Sequence, residues 1–176
     1  MSRVFIGIGS NKGQRQRNIE RALTHLRNDE DIEIKKVSSI IETEPEGGPL
    51  EQKFLNLAIE IETYINPYNL FKRLKNIERM LGRNLDDERW QPREIDLDIL
   101  LFDDLVIKGK NLKIPHPLMH KRFFVLKPLS QIAPDIRHPI YNKTILELLN
   151  ELETKNESNS EYRQHEEGFS PGTKQE

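Results

Sequence analysis

The sequence predicts an α+β fold for one domain at residues 1–152. Short runs of alternating apolar and polar residues indicate strands, and two longer segments carry apolar residues at helical spacing. In chain order these segments read strand, helix, strand, strand, helix, strand. Hydrophobic residues make up 35% of the 176 residues and charged residues 32%, which is typical of a protein with a modest core and a polar surface.

The first half of the chain contains three predicted strands and one predicted helix. Residues 4–8 form the first strand, residues 32–43 alternate loosely and form the second, and residues 54–63 alternate strictly and form the third. Proline and glycine mark residues 44–49 as a loop. After the first strand, one face of a helix is formed by Ile19, Ala22, Leu23 and Leu26.

A second helix and a fourth strand complete the predicted core. Asn66 is expected to cap the helix, with Pro67 at its first position and Gly82 after its end. The apolar stripe of this helix consists of Leu70, Leu74, Ile77 and Leu81. Residues 95–102 alternate again as a strand. The resulting βαββαβ order is the ferredoxin-like pattern, a mainly antiparallel sheet with helices on one face.

The remaining residues are predicted to be C-terminal additions to this core. A hairpin-like stretch reaches residue 115, one helix runs through residues 126–129, and a terminal helix lies near residues 144–152. From residue 153 onward the hydrophobic periodicity is lost and glutamate is frequent, so residues 153–176 are predicted to form a disordered acidic tail.

Composition excludes several classes of protein. Cysteine is absent, which removes disulfides, thiolate nucleophiles and cysteine-bound zinc. No run of about 18 apolar residues is present that could span a membrane, and the first residues lack the pattern of a signal peptide. The body of the chain is weakly positive and has no broad basic face for nucleic acid. We therefore expect a cytoplasmic protein.

Asp96 and Asp98 are the most informative candidates for chemistry. On an extended strand they project from one face, with Cα atoms about 7 Å apart, and two like charges there require positive partners. Magnesium is one solution, because it prefers carboxylate oxygens completed by phosphates and water, and two carboxylates can hold two ions. The alternative is a structural ion-pair network with Arg89 and Arg93.

Arginines and one histidine could contact phosphates near this pair. Arg83, Arg89 and Arg93 bracket it, and a guanidinium is a bidentate partner of phosphate. His116 stands between two prolines, which suits a fixed hydrogen-bond donor. A solvated arginine loop and a structural histidine are the alternatives. The glycine loop at residues 7–13 lacks the third glycine of a dinucleotide fingerprint, and the chain has no P-loop sequence.

Four further residues could form a slot for a flat heteroaromatic ligand. Two aromatic rings can sandwich such a ring while an amide reads its donors and acceptors. The alternative for each phenylalanine is ordinary core packing. The candidates, near predicted strand ends, are Thr43, Phe54, Asn56 and Phe124.

Together these motifs resemble the 6-hydroxymethyl-7,8-dihydropterin pyrophosphokinase family, over nearly all of residues 3–140. The block Arg-Trp-x-Pro-Arg-x-Ile-Asp-Leu-Asp from Arg89 is highly specific to it. The other matching motifs are Gly-Ser-Asn at 9–11, Glu-Thr-Glu-Pro-x-Gly-Gly-Pro at 42–49, Phe-Leu-Asn at 54–56, Gly82-Arg83, Ile-Pro-His-Pro at 114–117 and Arg-x-Phe at 122–124.

The resemblance implies an enzyme of folate biosynthesis that transfers pyrophosphate from ATP, its co-substrate, to the pterin hydroxymethyl group and releases AMP. It implies a monomer that binds these small molecules, with neither nucleic acid nor membrane as partner. Asp96 and Asp98 would hold two Mg²⁺ ions, with Arg83, Arg93 and Asp98 assisting transfer. ATP would contact Glu78, Arg89, Trp90, Ile99, His116 and Arg122. The pterin would contact Thr43, Phe54, Asn56 and Phe124.

Five positions depart from the family pattern. Gln91 stands where the family usually has a small residue, which bears on the conformation of its loop; at the other four the contacts are not carried over: Lys75, Leu85, Asn111 and Lys113. The sequence assigns no general base; a metal-activated hydroxyl near Asp98 is one option. Two other functions remain open. A ferredoxin-like RNA-binding module would need basic and aromatic residues on the sheet face, and a non-catalytic regulatory domain would bind a small effector without Mg²⁺.

Overall fold

The computed structural model describes residues 1–44, 52–82 and 93–167, with side chains as far as residue 158. Its sheet has the order β2-β4-β1-β5, with β3 also paired to β4, and every pairing is antiparallel. This is the arrangement that the βαββαβ order predicts. The strands are β1 (Ser2–Ser10), β2 (Ile32–Val37), β3 (Ile41–Thr43), β4 (Phe54–Thr63) and β5 (Asp96–Phe102).

The second predicted strand is divided into β2 and β3, which pair with different parts of β4. Ser38 lies in the break. Its backbone N–H donates to the carbonyl of Ala58 over 2.9 Å, and its hydroxyl accepts from the N–H of Ala58, also over 2.9 Å. Because a side chain replaces a main-chain acceptor here, the regular ladder stops and resumes at Ile41.

Helices α1 (Arg15–Arg27) and α2 (Pro67–Met80) bury their apolar stripes with one face of the sheet in a common core. The predicted ends of α2 are confirmed. The Asn66 side chain accepts from the N–H of Asn69 over 3.0 Å, and Gly82 follows with φ +100°, a conformation that favours glycine.

The C-terminal additions cover part of the opposite face, so the finished sheet carries helices on both sides. A small hairpin, β6 (Ile107–Lys108) and β7 (Lys113–Ile114), leads to α3 (Phe123–Ile132) and α4 (Ile145–Glu167). Both helices contribute to a second core. From the sheet, that core receives Phe5, Ala58, Leu100 and Leu101.

A β-bulge in β5 interrupts the predicted alternation. Ile6 pairs with Ile99 and Phe5 pairs with Leu101, so Leu100 is an extra residue between two consecutive pairs. Leu100 and Leu101 therefore both belong to the α3 and α4 core, whereas Phe102 returns to the core with α1 and α2. The alternation predicted for residues 95–102 is therefore broken at Leu100.

Helix α4 is longer than the sequence indicates. It buries Ile145, Leu148 and Leu149 near its start and continues to Glu167, past the expected end near residue 152. Residues 153–167 are polar but include many good helix formers, which extend a helix whose first turns are already packed. The rest of the expected tail, residues 168–176, lies outside the described residues. In the described part of the chain, no helix is long and apolar enough to cross a membrane.

Candidate active site

Two glycines of β1 form the floor of the site. Gly9 pairs with Asn56 on one side and Asp96 on the other, and Gly7 pairs with Ala58 and Asp98. Side chains of directly opposite residues share a face of the sheet. Asn56, Asp96 and Asp98 therefore project from the face opposite α1 and α2, around two positions that carry no side chain.

The two aspartates remain accessible on this face. The side chain of Asp96 is 23% exposed and that of Asp98 is 36% exposed. Arg93 Nη1 lies 3.3 Å from Asp96 Oδ2, so one of the ion pairs expected in the structural alternative is present. Asp98 Oδ2 lies 4.0 Å from His116 Nε2, and its Oδ1 lies 3.9 Å from Lys75 Nζ.

The donor chemistry fits magnesium. Within residues 1–44, 52–82 and 93–158, no group of three or more histidine, aspartate or glutamate side chains is placed to enclose a metal ion. Two carboxylates alone do not satisfy a divalent cation. Mg²⁺ commonly binds such a pair because it keeps several waters and takes the rest of its oxygen ligands from phosphates.

The turn after β1 fixes the approach to β5. Asn11 N–H donates to the carbonyl of Arg93 over 3.1 Å, and Arg93 N–H donates to Asn11 Oδ1 over 2.8 Å. The Ser10 hydroxyl donates to the carbonyl of Glu94 over 2.5 Å. The Gly-Ser-Asn motif is visible in the sequence, but no role for Ser10 or Asn11 follows from it, because their partners lie more than 80 residues away.

His116 presents one ring nitrogen to Asp98. Its Nδ1 accepts from the N–H of Leu118 over 3.2 Å, so the neutral ring carries its hydrogen on Nε2, the atom nearest Asp98. Burial lowers the pKa of His116, and the opposing effect of Asp98 is smaller. The geometry is that of a fixed neutral donor that points into the site.

Asn56 and its neighbours occupy the other side of the glycine floor. Asn56 is 6% exposed, and its Nδ2 donates to the Thr43 hydroxyl over 3.0 Å. Phe54 lies beside Gly9 on the same strand face, 3.7 Å from where a Gly9 β-carbon would stand. The structure thus brings three of the four predicted pterin contacts together. Phe124 lies in the first turn of α3, with the Arg122 guanidinium carbon 5.4 Å from its ring centroid.

Glu78 and Ile99 do not face the open site. Glu78 is fully buried, and its Oε1 accepts from the N–H of Leu97 over 2.7 Å and from Lys75 Nζ over 2.9 Å. Ile99 packs in the core with α1 and α2. Lys75 departs from the family pattern, so no contact was carried over to it, yet its Nζ lies 3.9 Å from Asp98 Oδ1.

Comparison with known proteins tests the resemblance. A family model described as 7,8-dihydro-6-hydroxymethylpterin-pyrophosphokinase (HPPK) matches residues 5–134, well over half of the chain. The chain belongs to the HPPK family. This membership confirms the expected enzyme class, a pyrophosphokinase of folate biosynthesis with ATP as co-substrate. The RNA-binding and regulatory alternatives are therefore set aside.

Individual HPPK relatives agree with this assignment. The 2-amino-4-hydroxy-6-hydroxymethyldihydropteridine pyrophosphokinase of Aquifex aeolicus is 41% identical over 147 residues, which cover 84% of this chain and 90% of that protein. The protein of the same name from Bacillus subtilis is 42% identical over 133 residues, covering 76% and 79%.

Solved HPPK structures confirm the α+β fold. The Plasmodium falciparum HPPK-DHPS structure with pteroate has a TM-score of 0.69 and 18% sequence identity. The match covers 85% of this chain but only 42% of that longer chain. At this level of identity the likeness concerns the fold alone.

Three residues predicted to act in the HPPK reaction lie outside the described residues: Arg83, Arg89 and Trp90. The departures at Leu85 and Gln91 lie in the same segment. Of the remaining predicted site residues, Asn56 on β4 and Asp96 and Asp98 on β5 flank the two glycines. Glu78 and Ile99 lie on the other side of the sheet.

Proposed function

We propose that this chain transfers the pyrophosphoryl group of ATP to the hydroxymethyl oxygen of 6-hydroxymethyl-7,8-dihydropterin. A bond forms from that oxygen to the β-phosphorus, the bond from the β-phosphorus to the oxygen of AMP breaks, and the hydroxyl proton is released. The observation that supports this best is the shared sheet face on which a carboxylate pair and a polar amide flank two glycines. Such a floor admits a flat ring on one side and phosphates on the other.

In this proposal Asp96 and Asp98 hold two Mg²⁺ ions. Bound Mg²⁺ would neutralise negative charge on the phosphates and orient them for in-line transfer. Arg93 already lies beside Asp96, where a guanidinium can bind a phosphate oxygen in bidentate fashion. Arg83 would assist transfer in the same way, and Asp98 would stand closest to the hydroxymethyl group.

The pterin would lie against Asn56. The Thr43 hydroxyl occupies one N–H of the Asn56 amide, which fixes the plane of that amide and directs Oδ1 toward Gly9. An acceptor in this position can read N–H groups of a pterin ring. Phe54 and Phe124 would provide aromatic surface for the two faces of the ring.

ATP would be held by donors at the other side of the floor. His116 Nε2–H and the Arg122 guanidinium would contact phosphates, and Arg89 and Trp90 are proposed from the resemblance. Glu78 and Ile99 are buried, which favours other roles for them than side-chain contact with ATP. Glu78 would support the strand that carries the aspartates, and Ile99 would contact the nucleotide only through its main chain.

The test is production of AMP by the purified chain. With ATP, Mg²⁺ and the hydroxymethyl dihydropterin present, we expect AMP and the pterin diphosphate in equal amounts, and neither when the pterin or Mg²⁺ is omitted. Absence of AMP under the complete condition would refute the proposal. The family resemblance implies a monomer, so we expect activity in the monomer fraction after size-exclusion chromatography.

A further inference from the structure

Lys75 places a positive charge at the margin of the proposed metal site. It belongs to α2, which packs on the opposite face of the sheet, and its side chain reaches the edge strand β5. Its Nζ lies 3.9 Å from Asp98 Oδ1, and the side chain is 19% exposed. The ammonium also lies 5.5 Å from the centroid of the Phe71 ring. The Lys75 side chain is therefore held in place and is partly accessible to solvent.

Three hydrogen bonds link Lys75, Glu78 and the strand that carries the aspartates. Lys75 Nζ donates to Glu78 Oε1 over 2.9 Å and to the carbonyl of Leu97 over 3.3 Å. Glu78 Oε1 accepts from the N–H of the same Leu97 over 2.7 Å. Leu97 lies between Asp96 and Asp98. One lysine and glutamate pair thus fixes the main chain that sets the spacing of both carboxylates.

We propose that Lys75 is a positioning residue that makes cation binding at Asp98 depend on the nucleotide. This inference rests on the proposed function, in which Asp98 binds Mg²⁺. A fixed ammonium close to Asp98 repels a divalent cation that arrives alone. The same ammonium attracts the polyphosphate of a nucleotide, so it favours the cation that arrives with ATP. Lys75 therefore acts with opposite sign on the two ligands.

Lys75→Gln tests these opposite effects on the two ligands, because it removes the charge and keeps an N–H donor for Glu78 and Leu97. The probes are Mn²⁺ alone, followed by electron paramagnetic resonance, and α,β-methylene-ATP with Mg²⁺, followed by calorimetry. We expect Lys75→Gln to bind Mn²⁺ alone about fivefold more tightly and the nucleotide complex about fivefold more weakly. Lys72→Gln, at an exposed position of the same helix, is the matched control and should change neither affinity.

If Lys75→Gln weakens binding of both Mn²⁺ and the nucleotide complex, Lys75 only supports the strand and the inference is overturned. Unchanged binding of both ligands would overturn it as well. If Lys75→Gln is too unstable to measure, Lys75→Arg decides. It keeps the charge and should keep both affinities within about twofold, and a larger change in either would overturn the inference. Failure of the proposed function is distinguishable, since the unmodified chain would then neither bind Mn²⁺ nor produce AMP.

Discussion

Gly9 lies directly opposite Asn56 in the pairing of β1 with β4, and a β-carbon at Gly9 would stand 2.8 Å from Asn56 Oδ1. That distance is too short for any real contact, so the orientation of the Asn56 amide depends on glycine at position 9. Gly7, two residues earlier, has more room: a β-carbon there would stand 3.4 Å from Leu100 Cδ2, the end of a flexible side chain.

Gly9→Ala should therefore damage pterin binding selectively. Displacing Asn56 removes a hydrogen bond from a buried polar group, at a cost of about 1–3 kcal/mol. We expect the KM for the pterin to rise about tenfold or more, with a smaller change in the KM for ATP, in steady-state assays. Gly7→Ala is the comparison: its β-carbon would meet Leu100 and not Asn56, so the KM for the pterin should rise less than in Gly9→Ala. Equal behaviour of the two variants would contradict the proposed slot.

Asp98→Asn should abolish most of the transfer activity while the fold persists. Loss of groups behind a metal ligand typically costs 10–100-fold, so loss of a ligand itself should lower kcat/KM by about 100-fold or more. The measurement is AMP formation over a range of Mg²⁺ concentrations. Asp104→Asn makes the same change on an exposed turn after the same strand and should be silent. Normal turnover in Asp98→Asn would remove Asp98 from the metal site.

Stability should fall between pH 6.5 and about 4 because of His138. This residue is 2% exposed, and burial, with a smaller effect of His120, lowers its pKa to about 4. An unfolded histidine has a pKa near 6.5. Between these values the unfolded chain binds a proton that the folded chain does not, so stability is complete above pH 6.5 and declines as the pH falls.

Urea unfolding at several pH values measures this decline. His138 Nδ1 accepts from the N–H groups of Ile140 and Tyr141, and in His138→Asn the amide oxygen can replace that acceptor without titrating. The variant should therefore show a weaker pH dependence across the window, whatever its absolute stability. An unchanged slope would mean that other groups, such as His116 and His120, whose pKa values burial also lowers, dominate.

The start of α4 should contribute to stability but not to catalysis. Thr144 and Glu147 form a capping box: the Thr144 hydroxyl accepts from the N–H of Glu147 over 3.1 Å, and Glu147 Oε2 accepts from the N–H of Thr144 over 2.7 Å. Thr144→Ala should lower the free energy of unfolding by about 1 kcal/mol and leave kcat unchanged. Thr154→Ala, inside the same helix, should cost nothing. A larger loss in Thr154→Ala would reverse this interpretation.

Local patterns were sufficient where neighbours in sequence decide the structure. Strict alternation predicted β4 with its observed ends, and Asn66 with Pro67 predicted the start of α2. The pair Asp96 and Asp98 was found because period two places both on one face. His116 was singled out because two prolines flank it, although no spacing connects it to Asp98.

Features that depend on distant partners were not predictable from local patterns. The bulge at Leu100 exists only in register with β1, and the break at Ser38 depends on Ala58. Glu78 carries a charge that suggests an exposed site residue, yet its partner Leu97 lies on another element. Lys75 was set aside as a departure from the family pattern, and its contact with Asp98 exists only because α2 and β5 meet across the sheet edge.

The bonds from Lys75 and Glu78 to Leu97 have a consequence for association between molecules. Strand β5 is the last in its sheet, and an edge strand offers N–H and C=O groups that can recruit a strand from another chain. At Leu97 both groups are already taken by side chains. Lys75 and Glu78, which hold the aspartates in place, therefore also disfavour pairing of this edge with the sheet of a second molecule.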